Sequence, residues 1–219
     1  MTRLPTRRRR ALRRILRALV LVLLCNYVFG IGLLLPRQAV WQQEQRQGVS
    51  GTRVAARMWH PAVYATHLFY LTENEEITLL ADTHWTLFGW ESGFGWALDC
   101  TTGAPFYAGE RSLSRQGRDE TLWCYYGRVD APEIAEIAVS IQAEDYVDGR
   151  PVRREVAHLS APEGAWYEKD GRRYFLLYMT AEAWDYKDSF RRAAVIALDG
   201  EGRELSRFDI NDGNYSSYG

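Results

Sequence analysis

The chain has 219 residues, with 27 Lys and Arg against 28 Asp and Glu and a formal net charge of −1. That balance hides an asymmetry: the first seventeen residues hold eight Arg and no acid, which leaves 19 basic residues against 28 acidic ones, or −9, in the remainder. An acidic body of this kind argues against bulk electrostatic binding of nucleic acid or anionic wall polymers and favours solubility, divalent-ion screening or a basic partner. The sequence also lacks a CxxC pair, an HExxH helix, a GxSxG elbow or a nucleotide signature.

Arg7, Arg8, Arg9 and Arg10 head the basic segment, residues 1–17, and an apolar run follows from Ala18 to Leu35, stopped by Pro36-Arg37. Eighteen residues at about 1.5 Å each span roughly 27 Å, which predicts a transmembrane helix over 18–35. The Arg bias sets the N-terminus in the cytoplasm and the rest of the chain outside. A cleaved signal needs small residues before the cut, and Arg37-Gln38-Ala39 does not supply them. Cys25 follows Leu24, where a lipoprotein signal needs a small residue. The expectation is therefore an uncleaved anchor whose basic end touches anionic lipid rather than nucleic acid.

Residues 36–59 read as a stalk: a Gln-rich helix, a break at Gly48–Gly51, and a short helix over Arg53–Trp59. Trp41 and Trp59 suit the headgroup zone, where an amphipathic ring is favoured, and Trp41 is assigned to the membrane anchor.

Residues 60–210 read as one extracytoplasmic β domain, with a loose tail over 211–219. Strands are predicted at Val63–Leu71, Ile77–Asp82, His84–Trp90, Phe94–Cys100, Leu122–Val129, Ile134–Gln142, Val152–Leu159, Tyr174–Thr180, Ala193–Leu198 and Glu204–Phe208. Asp148-Gly149, Asp170-Gly171 and Asp199–Gly202 fall between strand pairs as hairpin turns. Thr101–Glu120 reads as a long loop. The alternating sets Ile137/Val139/Ile141 and Phe175/Leu177/Met179 predict core faces, and the two-faced run Ala193–Leu198 predicts a central strand. The fold class is mainly β: a transmembrane helix followed by an antiparallel sandwich.

Cys100 and Cys124 lie in the outer domain, an oxidising setting, and are expected to pair. Such a bond would contribute about 3 kcal/mol by closing a loop of roughly 25 residues.

The segments Tyr126–Ile137 and Val195–Leu205 share a rhythm, a G-x-V strand entry and a closing A-x-D-x-x-G-x-x-L hairpin. They resemble uncharacterised, membrane-anchored exported proteins of Gram-positive bacteria. That resemblance implies an immunoglobulin-like module in the C-terminal part and carries no catalytic residues.

Of the eight Trp, Trp123 with Tyr125 projects from the strand face opposite Cys124, and the pair has two readings. The preferred one is filling of a second packed layer or cover by the Thr101–Glu120 loop; the other is an exposed stacking platform, which is the candidate binding site. His60, His67, His84 and His158 are scattered, and the acidic groups Glu73/Glu75/Glu76, Glu144/Asp145/Asp148 and Asp209/Asp212 read as solvated turns. No metal, cofactor or catalytic residue is expected. The functional expectation is a non-enzymatic binding or accessory module of the cell envelope, engaging a protein, with cell-wall glycan as the alternative and a hydrolase behind both.

Overall fold

A computed structural model describes residues 6–29, 33–59, 67–86, 89–114, 120–148, 150–162, 165–182 and 190–210. The expected tail, residues 211–219, and the start of the strand expected at Val63 lie outside the described residues. Two helices come first, α1 (Thr6–Phe29) and α2 (Pro36–Arg46). They are followed by β1 (Arg53–Trp59), β2 (His67–Glu73), β3 (Ile77–Thr86), β4 (Gly89–Asp99), β5 (Phe106–Ser114) and β6 (Glu120–Val129). The chain continues through β7 (Glu136–Val147), β8 (Arg150–Pro162), β9 (Tyr167–Lys169), β10 (Arg172–Glu182), β11 (Phe190–Leu198) and β12 (Glu204–Asp209). The strands form three four-stranded sheets, ordered β1-β2-β3-β4, β5-β6-β10-β9 and β12-β11-β7-β8. The fold is mainly β.

The chain divides into two compact units. The first comprises Met1–Gly48, Arg57–Tyr70 and Ala81–Gly95, the second Val49–Ala56, Leu71–Leu80 and Trp96–Gly219.

In the first unit, α1 carries the Arg-rich segment into the apolar one, and its Leu19, Val20, Leu21, Val22 and Leu24 are all exposed. The single helix expected over 18–35 is corrected: α1 ends at Phe29 and Leu33 has left the helix to pair with Trp90. Among the described residues no helix is long and apolar enough to cross a membrane. Three Arg (Arg13, Arg14, Arg17) occupy the middle of α1, and its apolar part, Ala18–Phe29, covers only about 18 Å.

The Gln-rich helix exists as α2, with Pro36 at its first turn where a missing N–H costs nothing. It is not a free stalk. Ala39, Val40, Gln43 and Glu44 are buried, Gln43 Nε2 donates to Gly93 O, and Arg37 reaches Glu44 at 2.7 Å. The helix expected at Arg53–Trp59 is strand β1, because pairing in the sheet overrides the helical preference of its two Ala.

In the second unit, two sheets contribute to one hydrophobic cluster. Phe106, Tyr125, Val129 and Phe175 come from β5, β6 and β10, and Ile137, Val139, Ile141 and Val195 from β7 and β11. The predicted faces Ile137/Val139/Ile141 and Phe175/Leu177/Met179 pack there. β11 is internal, between β12 and β7, with Val195 in the main cluster and Ala194 and Ile196 in a second one. The Asp170-Gly171 turn has φ of 51° and 78°, the left-handed pair that a tight β9–β10 hairpin needs.

The long loop expected over Thr101–Glu120 is corrected by β5, which pairs with β6 from Phe106↔Val129 to Ser114↔Thr121. Its Gly109 is a packing residue rather than a loop marker. A Cβ there would lie 2.7 Å from Leu98 Cδ2 and 3.1 Å from the Tyr126 hydroxyl.

The expected disulfide is also corrected: Cys100 and Cys124 are both buried thiols and do not pair with each other. Cys100 closes β4, where its N–H donates to Glu76 O, its Sγ lies 3.5 Å from Thr78 Oγ1, and its carbonyl accepts from Arg128. Cys124 sits four residues up β6 from Arg128, about 13 Å along the strand, and faces Arg111 and Tyr178 on the neighbouring strands.

Candidate functional site

The β2–β3 hairpin turns at Asn74, whose N–H donates to Ile77 O and whose Oδ1 accepts from the N–H groups of Glu76 and Ile77. From that turn the two strands run back side by side, and alternation along β3 puts Asp82 and His84 on one face. His67, at the start of β2, arrives beside them. Its ring stacks on His84 with centroids 5.2 Å apart, and its Nδ1 lies 2.8 Å from Asp82 Oδ1. One donor atom each from His67, Asp82 and His84 falls within 4.8 Å of the others.

The third strand completes the surroundings. Glu91 on β4 has Oε2 3.6 Å from His84 Nε2, while its Oε1 accepts from Thr86 Oγ1 at 3.0 Å. Gly93, also on β4, leaves the space that the Asp82 carboxylate fills. Asp82 is 2% exposed, and His67 and His84 are half-buried. His84 Nδ1 is buried and has no hydrogen-bond partner among the described residues. Two imidazoles and a carboxylate converging from paired strands form a donor set suited to a late first-row divalent ion. Helical HExxH spacing does not mark this set, and the strand boundary expected between Asp82 and His84 separates two of its members, whereas β3 runs unbroken through both. The Asp82-Thr83-His84 alternation was the available signal.

On the opposite face of β3, Trp85 meets Trp90 edge-on with centroids 5.6 Å apart, and Trp59 lies 5.8 Å from Trp90. Trp59 and Trp85 are 56% and 50% exposed. Trp90 is bound to the end of the apolar N-terminal run by two backbone bonds, Leu33 N to Trp90 O and Trp90 N to Leu33 O, each 2.8 Å. Gly89, at φ 129°, permits this approach, since a Cβ there would stand 2.7 Å from Leu33 O. Leu34, Leu35 and Trp41 are exposed.

The second unit holds a cleft of about 320 Å³ whose walls include Trp96, Leu98, Phe106, Tyr107 and Phe208, with Asp99 and Glu110 as acidic groups. Arg111 lies 4.0 Å from the Trp96 ring centroid, a cation–π distance.

The sequence-predicted site residues fare unevenly. Tyr125 is fully buried and Trp123 packs against the core, so the pair forms no exposed platform. β6 is covered on both sides, with Leu122, Cys124 and Tyr126 buried as well, which matches the second-layer reading and not the platform. Arg8, Arg9 and Arg10 are exposed on α1, as Trp41 is on α2. No protein-family model matches the chain, and no curated protein is similar to it in sequence.

Proposed function

We propose that this chain is a membrane-anchored protein of the cell envelope that holds a non-enzymatic β domain at the outer face of the membrane to bind a partner protein. The observation that carries this reading is α1. Four successive positions, Leu19 to Val22, are exposed and apolar, so every face of the helix is apolar just beyond the Arg-rich turn. A helix covered by protein would need only one such face, whereas lipid wets all of them. The Arg bias supports a cytoplasmic N-terminus.

The Trp59/Trp85/Trp90 group, tied by Leu33 to the end of the apolar run, is suited to the headgroup zone. It extends the role expected of Trp41. The two sheets sharing one core support reading the C-terminal part as an immunoglobulin-like sandwich.

The binding half of the proposal rests on the cleft of aromatic and aliphatic walls with the Asp99 carboxylate in its lining, which suits a basic side chain of an envelope protein. Glycan binding loses its motivation with the burial of Tyr125.

The test is alkaline carbonate extraction of membranes carrying the full chain, followed by protease treatment of intact cells stripped of their wall. Retention in the membrane with digestion from outside is expected. Release by carbonate would remove the anchor, and protection from external protease would reverse the orientation.

A further inference from the structure

We propose that His67, Asp82 and His84 bind a divalent transition-metal ion of the zinc class on the face of the β2–β3 hairpin, with Glu91 orienting His84. Four independent features point to one bound cation.

The first is donor chemistry. Imidazole nitrogen and carboxylate oxygen are the ligands of three-residue Zn²⁺ sites, which leave a further position for water or a ligand. The second is spacing. Ligand atoms on a tetrahedral ion with bonds of about 2.1 Å stand roughly 3.3 Å apart. His67 Nδ1 and Asp82 Oδ1 are already 2.8 Å apart, and the third donor lies within 4.8 Å of both. Closing that gap takes a shift of about 1.5 Å or less, which a half-buried ring at the strand end can make.

The third feature is polar satisfaction. Buried ring nitrogens are ordinarily bonded, yet His84 Nδ1 is buried with no hydrogen-bond partner among the described residues. Fourth, the supporting groups are those that metal sites use. Thr86 Oγ1 holds one oxygen of Glu91, and the other faces His84 Nε2 at 3.6 Å. Liganding histidines commonly have a carboxylate beside the ring to fix tautomer and orientation. The nearly closed pocket for Asp82 beside Gly93 keeps its carboxylate aimed at His67.

This inference does not depend on membrane anchorage or on the cleft. The experiment uses the full chain in detergent, stripped with a chelator and titrated with Co²⁺, whose visible bands report nitrogen and oxygen ligation. Zn²⁺ then serves as competitor. One equivalent of Co²⁺ displaced by Zn²⁺ is expected. His84→Asn and His67→Asn should each weaken binding about 100-fold or more, and Glu91→Gln about 10-fold. His158→Asn, at an exposed histidine beside Glu155, should bind as the unaltered chain does. Circular dichroism of each variant separates lost ligation from lost fold, and His84 is the more exposed of the two rings. Absence of saturable binding, or binding that survives His84→Asn in a folded variant, would overturn the proposal. Equal loss with His158→Asn would overturn it too.

Discussion

Asp82 and Gly93 face each other so closely on β3 and β4 that a Cβ built at Gly93 would stand 2.1 Å from Asp82 Oδ2 and 2.9 Å from its Cγ. Gly93 is therefore a condition for a buried carboxylate to sit beside His67.

Gly93→Ala forces either the carboxylate or the strand to move. Overpacking of this kind costs about 2 kcal/mol. Urea unfolding of the full chain in detergent should show a loss of that size, with the His67 ring proton resonances displaced. A folded variant of unchanged stability and unchanged His67 resonances would mean that β4 makes room for the methyl while Asp82 keeps its place beside His67.

Arg128 offers a second strong test. Its side chain is buried and donates to Glu75 O, Cys100 O and Asp130 Oδ2, at 3.1, 3.1 and 2.7 Å. Replacing it with Met leaves two carbonyls without their donor and a carboxylate without its partner. Removing one member of a buried charged network typically costs about 3 kcal/mol, and a loss of that order is expected in the same urea assay. A change below about 0.5 kcal/mol, the range of ordinary surface substitutions, would assign those carbonyls to water.

Much of the second unit could be read in advance because its signals are local. Alternation at Ile137/Val139/Ile141 and Asp-Gly pairs at turns are properties of a few adjacent residues. The failures concern long-range partners. Gly109 looked like a loop residue because nothing nearby reveals Leu98 and Tyr126 closing over it. Alternation along β6 leaves a platform at Tyr125 and a second packed layer both open, because period 2 separates two faces without saying whether either is wet. The His67–Asp82–His84 group required keeping β3 continuous through Thr83, whose hydroxyl donates to Leu68 O and ties it to β2. Leu33 read as membrane-spanning because its pairing with Trp90, far along the chain, leaves no mark in its own apolar neighbourhood.

The cysteines make a prediction opposite to the one an oxidising compartment would suggest. With Cys25, Cys100 and Cys124 all outside any disulfide, a thiol assay in denaturant without reductant should count three. Adding reductant should leave the melting temperature unchanged. A count of one, with a melt lowered by reductant, would show that the two buried thiols pair in the mature protein.

The pH dependence of stability has a definite sign at the alkaline end. Burial pushes the Cys100 thiol above its ordinary 9.0. Burial first, and then the negative charge of Glu73, push the Tyr174 phenol far above its ordinary 10.0. The native chain thus keeps protons that the unfolded chain releases, so stability is full below the unfolded values and falls as pH rises through 9 and 10. Tyr174→Phe removes one of these ionisations and also the phenol oxygen beside Glu73. Its stability should fall less steeply between pH 9 and 11 than that of the unaltered chain, measured by urea unfolding at each pH. Parallel slopes for the two proteins would mean that Tyr174 titrates alike folded and unfolded. Glu73 would then be neutralised mainly by Arg172, 2.9 Å away.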